Sequence, residues 1–311
     1  MNKEIRRAAE VLRAGGLVAF PTETVYGLGA DAASAAAVAR LYAVKGRPAD
    51  HPVIVHFADA AHALEWAREI PAPARALARA FWPGPLTLIL KRSDKAKDFV
   101  TGGQDSVGVR VPAHPVAQAL LREFGAGVAA PSANVFGRVS ATSSRHVKDD
   151  FPAGVDFILE GEAGEVGIES TIVDLSGAEP ALLRPGRISV AELEAVLRQE
   201  IRGKSGASPR HSGGLQRHYA PATPALVVPA HELDREISSR GGDVAVLAFS
   251  QPDQRVDYWI RMPREPRGYA QRLYAALREL DGAGRGTILI EAPPEGSEWN
   301  AVRDRLTRAA G

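Results

Sequence analysis

Thr22, Glu23, Thr24 and Tyr26 follow directly on the apolar run 17–20 and lead into Gly27 and Gly29. Side-chain donors and accessible backbone amides therefore crowd one short loop, an arrangement suited to an anionic or zwitterionic small molecule. The plainer alternative is a polar turn between two buried elements. Arg110 raises a similar choice, since it interrupts the apolar run 107–111 and a guanidinium buried without an anion costs several kcal/mol. Its partner is either a structural carboxylate or a ligand. No acidic residue neighbours it within the strand, so a ligand is expected.

Other candidates are spread along the chain. Lys45 and Arg47 sit at the end of a predicted helix, where cations complement the helix dipole in any protein, which is their plain reading. His56 closes an apolar strand, and its plain reading is a packed core histidine. Pro131-Ser132-Ala133-Asn134, followed by Gly137, Ser140, Thr142, Ser143 and Ser144, opens a strand end into hydroxyl groups. That pattern fits a phosphate loop without being a Walker sequence, and a serine-rich loop with no ligand is the alternative. Arg184 and Arg187 place two guanidiniums at the turn formed by Pro185-Gly186.

The elements that must position these groups read as short strands at 17–20, 53–57, 86–91, 107–111, 128–130, 156–159 and 169–174, alternating with helices that include 60–68, 73–82 and 116–124. Ser189 and Glu192 form a capping box for a helix running to Leu197. From Arg202 to Arg217 the composition turns to Gly, Ser, Arg, Lys and His, which marks a linker. It ends in His218-Tyr219-Ala220-Pro221, with Tyr219 either a hinge anchor or a lid. Beyond it, strands at 225–228, 244–249 and 287–291 with a helix at 269–280 predict a small open α/β (Rossmann-like) domain, and no Gly-x-Gly-x-x-Gly follows any of them. The chain thus divides into 1–201, a basic Gly/Ser-rich linker at 202–222, and 223–311.

Bulk properties narrow the classes. The chain of 311 residues exceeds the usual single-domain size, and its 38 basic and 37 acidic side chains give a net charge of +1, with no global pull toward nucleic acid. Cysteine is absent, which rules out disulfides and thiolate chemistry. No apolar run approaches the ~18 residues of a membrane span, and the first residues lack the apolar core of a signal peptide. A cytoplasmic protein with no membrane partner is expected.

Pro21-Thr22-Glu23-Thr24-Val25-Tyr26-Gly27-Leu28 followed by Lys45-Gly46-Arg47-Pro48 resembles the threonylcarbamoyl-AMP synthase family in its long, two-domain form. Phe81-Trp82-Pro83-Gly84-Pro85-Leu86-Thr87, Pro131-Ser132-Ala133-Asn134, Glu169-Ser170-Thr171-Ile172-Val173-Asp174 and His218-Tyr219-Ala220-Pro221 extend the resemblance across most of residues 4–221. It implies a fold of α/β class, with an N-terminal twisted mixed-sheet catalytic domain that has a concave basic face. It also implies L-threonine contacts at Thr22, Thr24, His56, Arg110, Ala130 and Ser170. ATP contacts fall at Lys45, Arg47, His51, Ser106, Ser132, Asn134, Ser140, Arg184 and Tyr219, with Lys45 and Arg47 as the catalytic cations. His51 and Ser106 depart from the residues common at those places, and the lead into His218 is shorter than usual.

The reaction implied joins L-threonine, bicarbonate or CO2, and ATP into L-threonylcarbamoyl-AMP and pyrophosphate, for threonylcarbamoyl modification of tRNA adenosine. Because a carbamate is already an anionic nucleophile, the site needs charge neutralisation, alignment and water exclusion more than a protein nucleophile. Arg110 would bind both carboxylate oxygens of threonine through its planar edge. Mg2+ is expected on phosphate oxygens, with no protein side-chain ligands. A downstream tRNA threonylcarbamoyl transferase and weak RNA contact complete the implied partners. The reading from another class is an RNA-binding module that recognises duplex shape without this catalysis.

Overall fold

The computed structural model describes residues 2–206, 208–215 and 217–311; Met1, Ala207 and Gln216, the last two inside the expected linker, lie outside the described residues. Among the described residues the first sheet contains β1 Val18–Phe20, β2 Gly27–Asp31, β3 Ile54–His56, β4 Leu86–Lys91, β5 Ser106–Arg110, β6 Val128–Ala129, β7 Phe157–Ile158, β8 Thr171–Asp174, β9 Ala181–Arg184 and β10 Arg202–Gly203. Their order in space is β10-β9-β8-β4-β5-β3-β6-β2-β1-β7. The sheet is mixed: β3 runs parallel to β5 and β4 to β8, whereas β4 and β5 are antiparallel.

Period-two alternation gives this sheet two different faces. Val55, Leu86, Leu88, Leu90, Val107, Val109 and Val173 point into the main core. Ile54, Ile89 and Ile172 belong to a separate small cluster with Leu183. The second cluster shares its face with His56, Thr87 and Arg110, because these stand two residues, or one register step, from its members. Each central strand therefore anchors itself with one set of side chains and presents the other.

The second sheet consists of β11 Ala225–Val228, β12 Val244–Ala248, β13 Tyr258–Arg261 and β14 Thr287–Glu291, all parallel, in the order β11-β14-β12-β13. Helices Leu233–Ser239, Pro266–Asp281 and Asn300–Ala310 accompany it, and Leu233, Ile237, Val244, Val246 and Leu289 pack together within this unit. The expected small open α/β domain is present. The sequence reading had missed β13.

The compact units are drawn differently from the expected division at 201 and 222. One comprises 1–136 with 141–214, the other 137–140 with 215–311. Residues 137–140 join the second because Ala220 N–H donates to the Gly137 carbonyl at 2.9 Å and Arg278 donates to the carbonyls of Val139 and Ser140. Residues 202–214 join the first through specific contacts: β10 pairs with β9, Arg210 Nη2 donates to Gly102 O at 2.8 Å, and Gln104 Oε1 accepts from Arg210 N at 2.7 Å.

Two local readings also change. The helix expected over 60–68 stops at Leu64, since Trp66 O accepts from Ser93 N and Arg68 N donates to Lys91 O, drawing this stretch alongside the end of β4. The hydroxyl cluster at 142–144 opens a helix, Ser144–Asp150: Ser143 accepts from His146 N as its N-cap, while Ser144 hydrogen-bonds Glu160. The capping box at Ser189 and Glu192 is present as read from the sequence, and the helix Val190–Leu197 buries Leu193 in the main core. Ser189→Ala is expected to lower stability by about 1 kcal/mol in a denaturant titration, the ordinary cost of losing an N-cap.

Candidate functional site

Strand register builds the site. His56 on β3 lies opposite Arg110 on β5, and Arg110 lies opposite Thr87 on β4, so three polar side chains form a row across adjacent strands. Arg110 is buried, and its anion is a protein carboxylate: Glu23 Oε1 accepts from Arg110 Nη2 at 2.7 Å, with both side chains 5% exposed. Of the two partners weighed for Arg110, a structural carboxylate and the ligand that was expected, the structure supplies the carboxylate, from a distant loop. Glu23 Oε2 accepts a second bond, from Ala113 N at 3.0 Å. Arg110 Nε and His56 Nδ1 are both buried and have no hydrogen-bond partner.

Thr22 and Thr24 extend the network. Thr22 Oγ1 donates to Val25 O at 2.6 Å, so the contact of 2.8 Å between the two hydroxyls must be donated by Thr24. Thr24 Oγ1 in turn accepts from Arg110 Nη2 at 3.1 Å. The donor chain runs Arg110 to Thr24 to Thr22 to Val25 O, and it fixes every proton along it. Thr22, which also accepts from the backbone N–H groups of Thr24 and Val25, shapes the loop. Of the two threonines, Thr24 is the one that touches Arg110.

Lys45 is placed otherwise than expected of a residue facing phosphates. It is buried at the end of helix Ala35–Lys45, and its ammonium donates to Ser132 O at 2.6 Å and to Asn134 O. Phe136 N donates back to Lys45 O at 2.9 Å. Lys45 thus ties the 131–134 loop to the helix. Burial, and then the Arg47 charge, hold its pKa well below the usual lysine value, with Asp150 pulling the other way. Arg47 lies between the rings of Tyr42 and Phe136, 5.9 and 5.6 Å from their centroids, and donates to Pro52 O at 2.6 Å. His51 packs edge-on against Phe136, and burial followed by the Arg47 charge lowers its pKa. The loop is braced against β2 as well, since Ala133 N donates to Tyr26 O and Leu28 N to Pro131 O; Ala130 N donates to Ile54 O.

On the other side of the row, Thr87 and Ser170 share a hydrogen bond of 2.8 Å. Arg184 grips Ser170 twice, Nε to the carbonyl at 3.0 Å and Nη2 to the hydroxyl at 3.1 Å, and Nη1 reaches Ser212 O at 3.0 Å. Gly186 allows this close turn: a Cβ there would stand 2.4 Å from the backbone nitrogen of Thr171. Thr87 was quoted in a motif but given no role, and its register with Arg110 was the missing signal. A pocket is lined by Ile54, Ile89, Gly108 and Ile172 together with Ser106 and residues 210–212.

Ser140 and Tyr219 belong to the second unit. Ser140 is fully buried and its carbonyl accepts from Arg278. Tyr219 is buried in a left-handed backbone conformation, φ +60°, beside Tyr274 and 5.2 Å from the Arg305 guanidinium. That is the setting of an anchor. Among the described residues no three His, Cys, Asp or Glu side chains are grouped to hold a metal ion, and no helix is long and apolar enough to cross a membrane.

A mixed-sheet face carrying buried cations, hydroxyl groups and a pocket defines an α/β protein built to bind a small anionic or zwitterionic molecule. Residues 10–186 match the Sua5/YciO/YrdC family model, described as telomere recombination, and residues 188–311 match the threonylcarbamoyl-AMP synthase C-terminal domain. The threonylcarbamoyl-AMP synthase of Pyrococcus abyssi is 41% identical, over 99% of this chain and 94% of its own length, and that of Bacillus subtilis 38%, over 100% and 94%. The crystal structure of P. abyssi Sua5 complexed with L-threonine superposes with a TM-score of 0.93 at 39% identity, covering 100% of this chain and 95% of that one. This chain belongs to the threonylcarbamoyl-AMP synthase family.

The setting of His56 has a consequence in acid. Complete burial, and then the Arg110 charge, push its pKa down to about 3. The folded chain keeps the imidazole neutral where the unfolded chain takes up a proton, so stability drains as pH falls from about 6.5 toward 3, by ~1.4 kcal/mol per pH unit. Between pH 7 and 5 the parent is expected to lose about 2 kcal/mol more than His56→Gln, measured by denaturant titration.

Proposed function

We propose that this chain joins L-threonine, bicarbonate or CO2, and ATP to form L-threonylcarbamoyl-AMP with release of pyrophosphate, supplying the activated group for threonylcarbamoyl modification of tRNA adenosine. The enzyme class is nucleotidyltransferase. The observation that carries the reading is the pair of buried, unpartnered nitrogens, Arg110 Nε and His56 Nδ1, on facing strand positions. Polar atoms so buried are normally satisfied, and a ligand carrying both an anionic and a hydroxyl group would satisfy these. Arg110 takes the threonine carboxylate. His56, neutral across the physiological range, suits the threonine hydroxyl. Thr24, the Ala130 backbone and Ser170 complete this pocket.

One difference from the sequence reading concerns how Arg110 binds. Glu23 and Thr24 both sit on Nη2 and take both of its hydrogens. The two-nitrogen edges of a guanidinium are Nε/Nη2 and Nη1/Nη2, so neither remains complete. Nε and Nη1 are the Arg110 donors left to the carboxylate.

ATP lies toward Arg47, Ser132, Asn134 and Arg184. We assign the adenine to the apolar lining at Ile54, Ile89 and Ile172, beside Ser106. Burial first and the Arg47 charge second depress the Lys45 pKa, and a polyanion would relieve the second of these. Mg2+ arrives on the phosphate oxygens as part of the nucleotide substrate. The threonine amine loses a proton and adds to CO2, or to bicarbonate with loss of water. The resulting carbamate oxygen then attacks the α-phosphorus in line, and the α–β phosphoanhydride bond breaks to release pyrophosphate. The protein's part is alignment and charge neutralisation. The labile product passes to a tRNA threonylcarbamoyl transferase in the cytoplasm.

Pyrophosphate release from ATP and Mg2+ should require both threonine and bicarbonate; release without threonine would point to another acceptor, and none at all would favour the RNA-binding reading. Arg110→Ala would strand the buried Glu23 carboxylate at a cost of about 3–5 kcal/mol, so the kinetic probe is Arg110→Lys, which keeps a cation there. It is expected to raise the KM for threonine about 100-fold while the KM for ATP moves less than about threefold, and equal changes would remove Arg110 from the threonine pocket.

A further inference from the structure

Glu23 contacts the candidate threonine pocket, and none of the roles assigned above uses it. It is held on three sides: Oε1 by Arg110 Nη2, Oε2 by Ala113 N, and its main-chain carbonyl by Val166 N at 2.9 Å. Gly164 lies so close to this carbonyl that a Cβ there would be 2.5 Å away. The carboxylate is therefore fixed in place, beside a guanidinium that is equally buried and whose Nε is a buried donor without a partner.

Charge then decides what the pocket accepts. Arg110 alone would make a buried cationic site, for which a simple carboxylic acid anion is the natural ligand. With Glu23 in contact the local charge sums to zero. A monoanion entering such a site gives up its hydration and meets repulsion from Glu23 as well as attraction from Arg110. A molecule carrying its own ammonium next to its carboxylate meets a complementary charge at each end.

We propose that Glu23 makes this pocket selective for zwitterionic α-amino acids: its carboxylate receives the substrate ammonium while holding Arg110 in place for the substrate carboxylate. The inference rests on the threonine reading and adds to it a specificity-determining residue. Glu23 thereby also sets which end of the amino acid lies where, because carboxylate and ammonium are steered to fixed, adjacent partners.

The test compares L-threonine with (R)-3-hydroxybutanoate, which keeps the carboxylate, hydroxyl and methyl groups and lacks the ammonium. Equilibrium binding to the full chain is measured by calorimetry for the parent, Glu23→Gln and Glu23→Asp. The parent should prefer threonine by about 100-fold or more, and Glu23→Gln should narrow the ratio to about tenfold or less by weakening threonine without weakening the hydroxy acid. Glu23→Asp, which retains the charge, should keep the preference even if both ligands bind more weakly, and it serves equally if the Gln variant does not fold. Loss of both ligands in parallel in Glu23→Gln, or a collapsed ratio in Glu23→Asp, would reduce Glu23 to a structural brace and overturn the proposal. Failure of threonine to bind the parent chain would overturn the threonine reading itself, and this inference with it.

Discussion

A guanidinium in the middle of a β-sheet must be neutralised and held, and the contact between Glu23 and Arg110 does both. Other features of the site follow from it. Arg110 Nη2 is taken up by Glu23 and Thr24, which orders the hydroxyl chain through Thr22 and so the turn that leads into β2. The fixed guanidinium keeps its Nε pointing away from protein acceptors, next in register to His56. It also depresses the pKa of that imidazole and helps keep it neutral. One ion pair thus sets loop geometry and the donors left open, and adds to burial in keeping its neighbour neutral.

How much of this was legible in the sequence depends on the distance along the chain over which each feature is encoded. The capping box at Ser189 and Glu192 lies within one helical turn and was read correctly. The small C-terminal α/β unit was legible from strands and a helix, although Tyr258–Arg261, an edge strand with little apolar pattern, was not. The Glu23 contact with Arg110 spans 87 residues and leaves no local trace. Lys45 was expected to face phosphates because the family resemblance pairs it with Arg47, and only the fold brings the 131–134 carbonyls to its ammonium.

One signal was present and misread. Residues 106–110, Ser-Val-Gly-Val-Arg, look like an apolar run interrupted by a cation. With a period of two they separate into Val107 and Val109 for the core, and Ser106, Gly108 and Arg110 for the opposite face. Ile54-Val55-His56 and the strand from Leu86 to Lys91 divide in the same way. Interleaved faces of this kind let a short strand be rigid and functional together, because the residues that fix it are not those that present chemistry. For Ser143 and Ser144 the plainer of the two readings of the serine cluster holds, since they serve a helix start and Glu160.

Charge divides the presented face into two ends. At one end Arg110 is cancelled by Glu23, and the hydrogen bonds of Thr22 and Thr24 end on the protein itself. At the other, Arg184 is held by the neutral oxygens of Ser170 and Ser212, so contact with the protein orients its charge without cancelling it. A balanced end suits a molecule with no net charge and the uncancelled end suits a polyanion. Ser170 links them, bonded to Thr87 in the row with Arg110 and gripped by Arg184. For a reaction that first turns a zwitterion into an anion and then drives that anion onto a phosphate, this order of environments works in the forward direction. The carbamate loses the ammonium that matched Glu23 and gains negative charge, and it is then drawn toward the cationic end of the same sheet face.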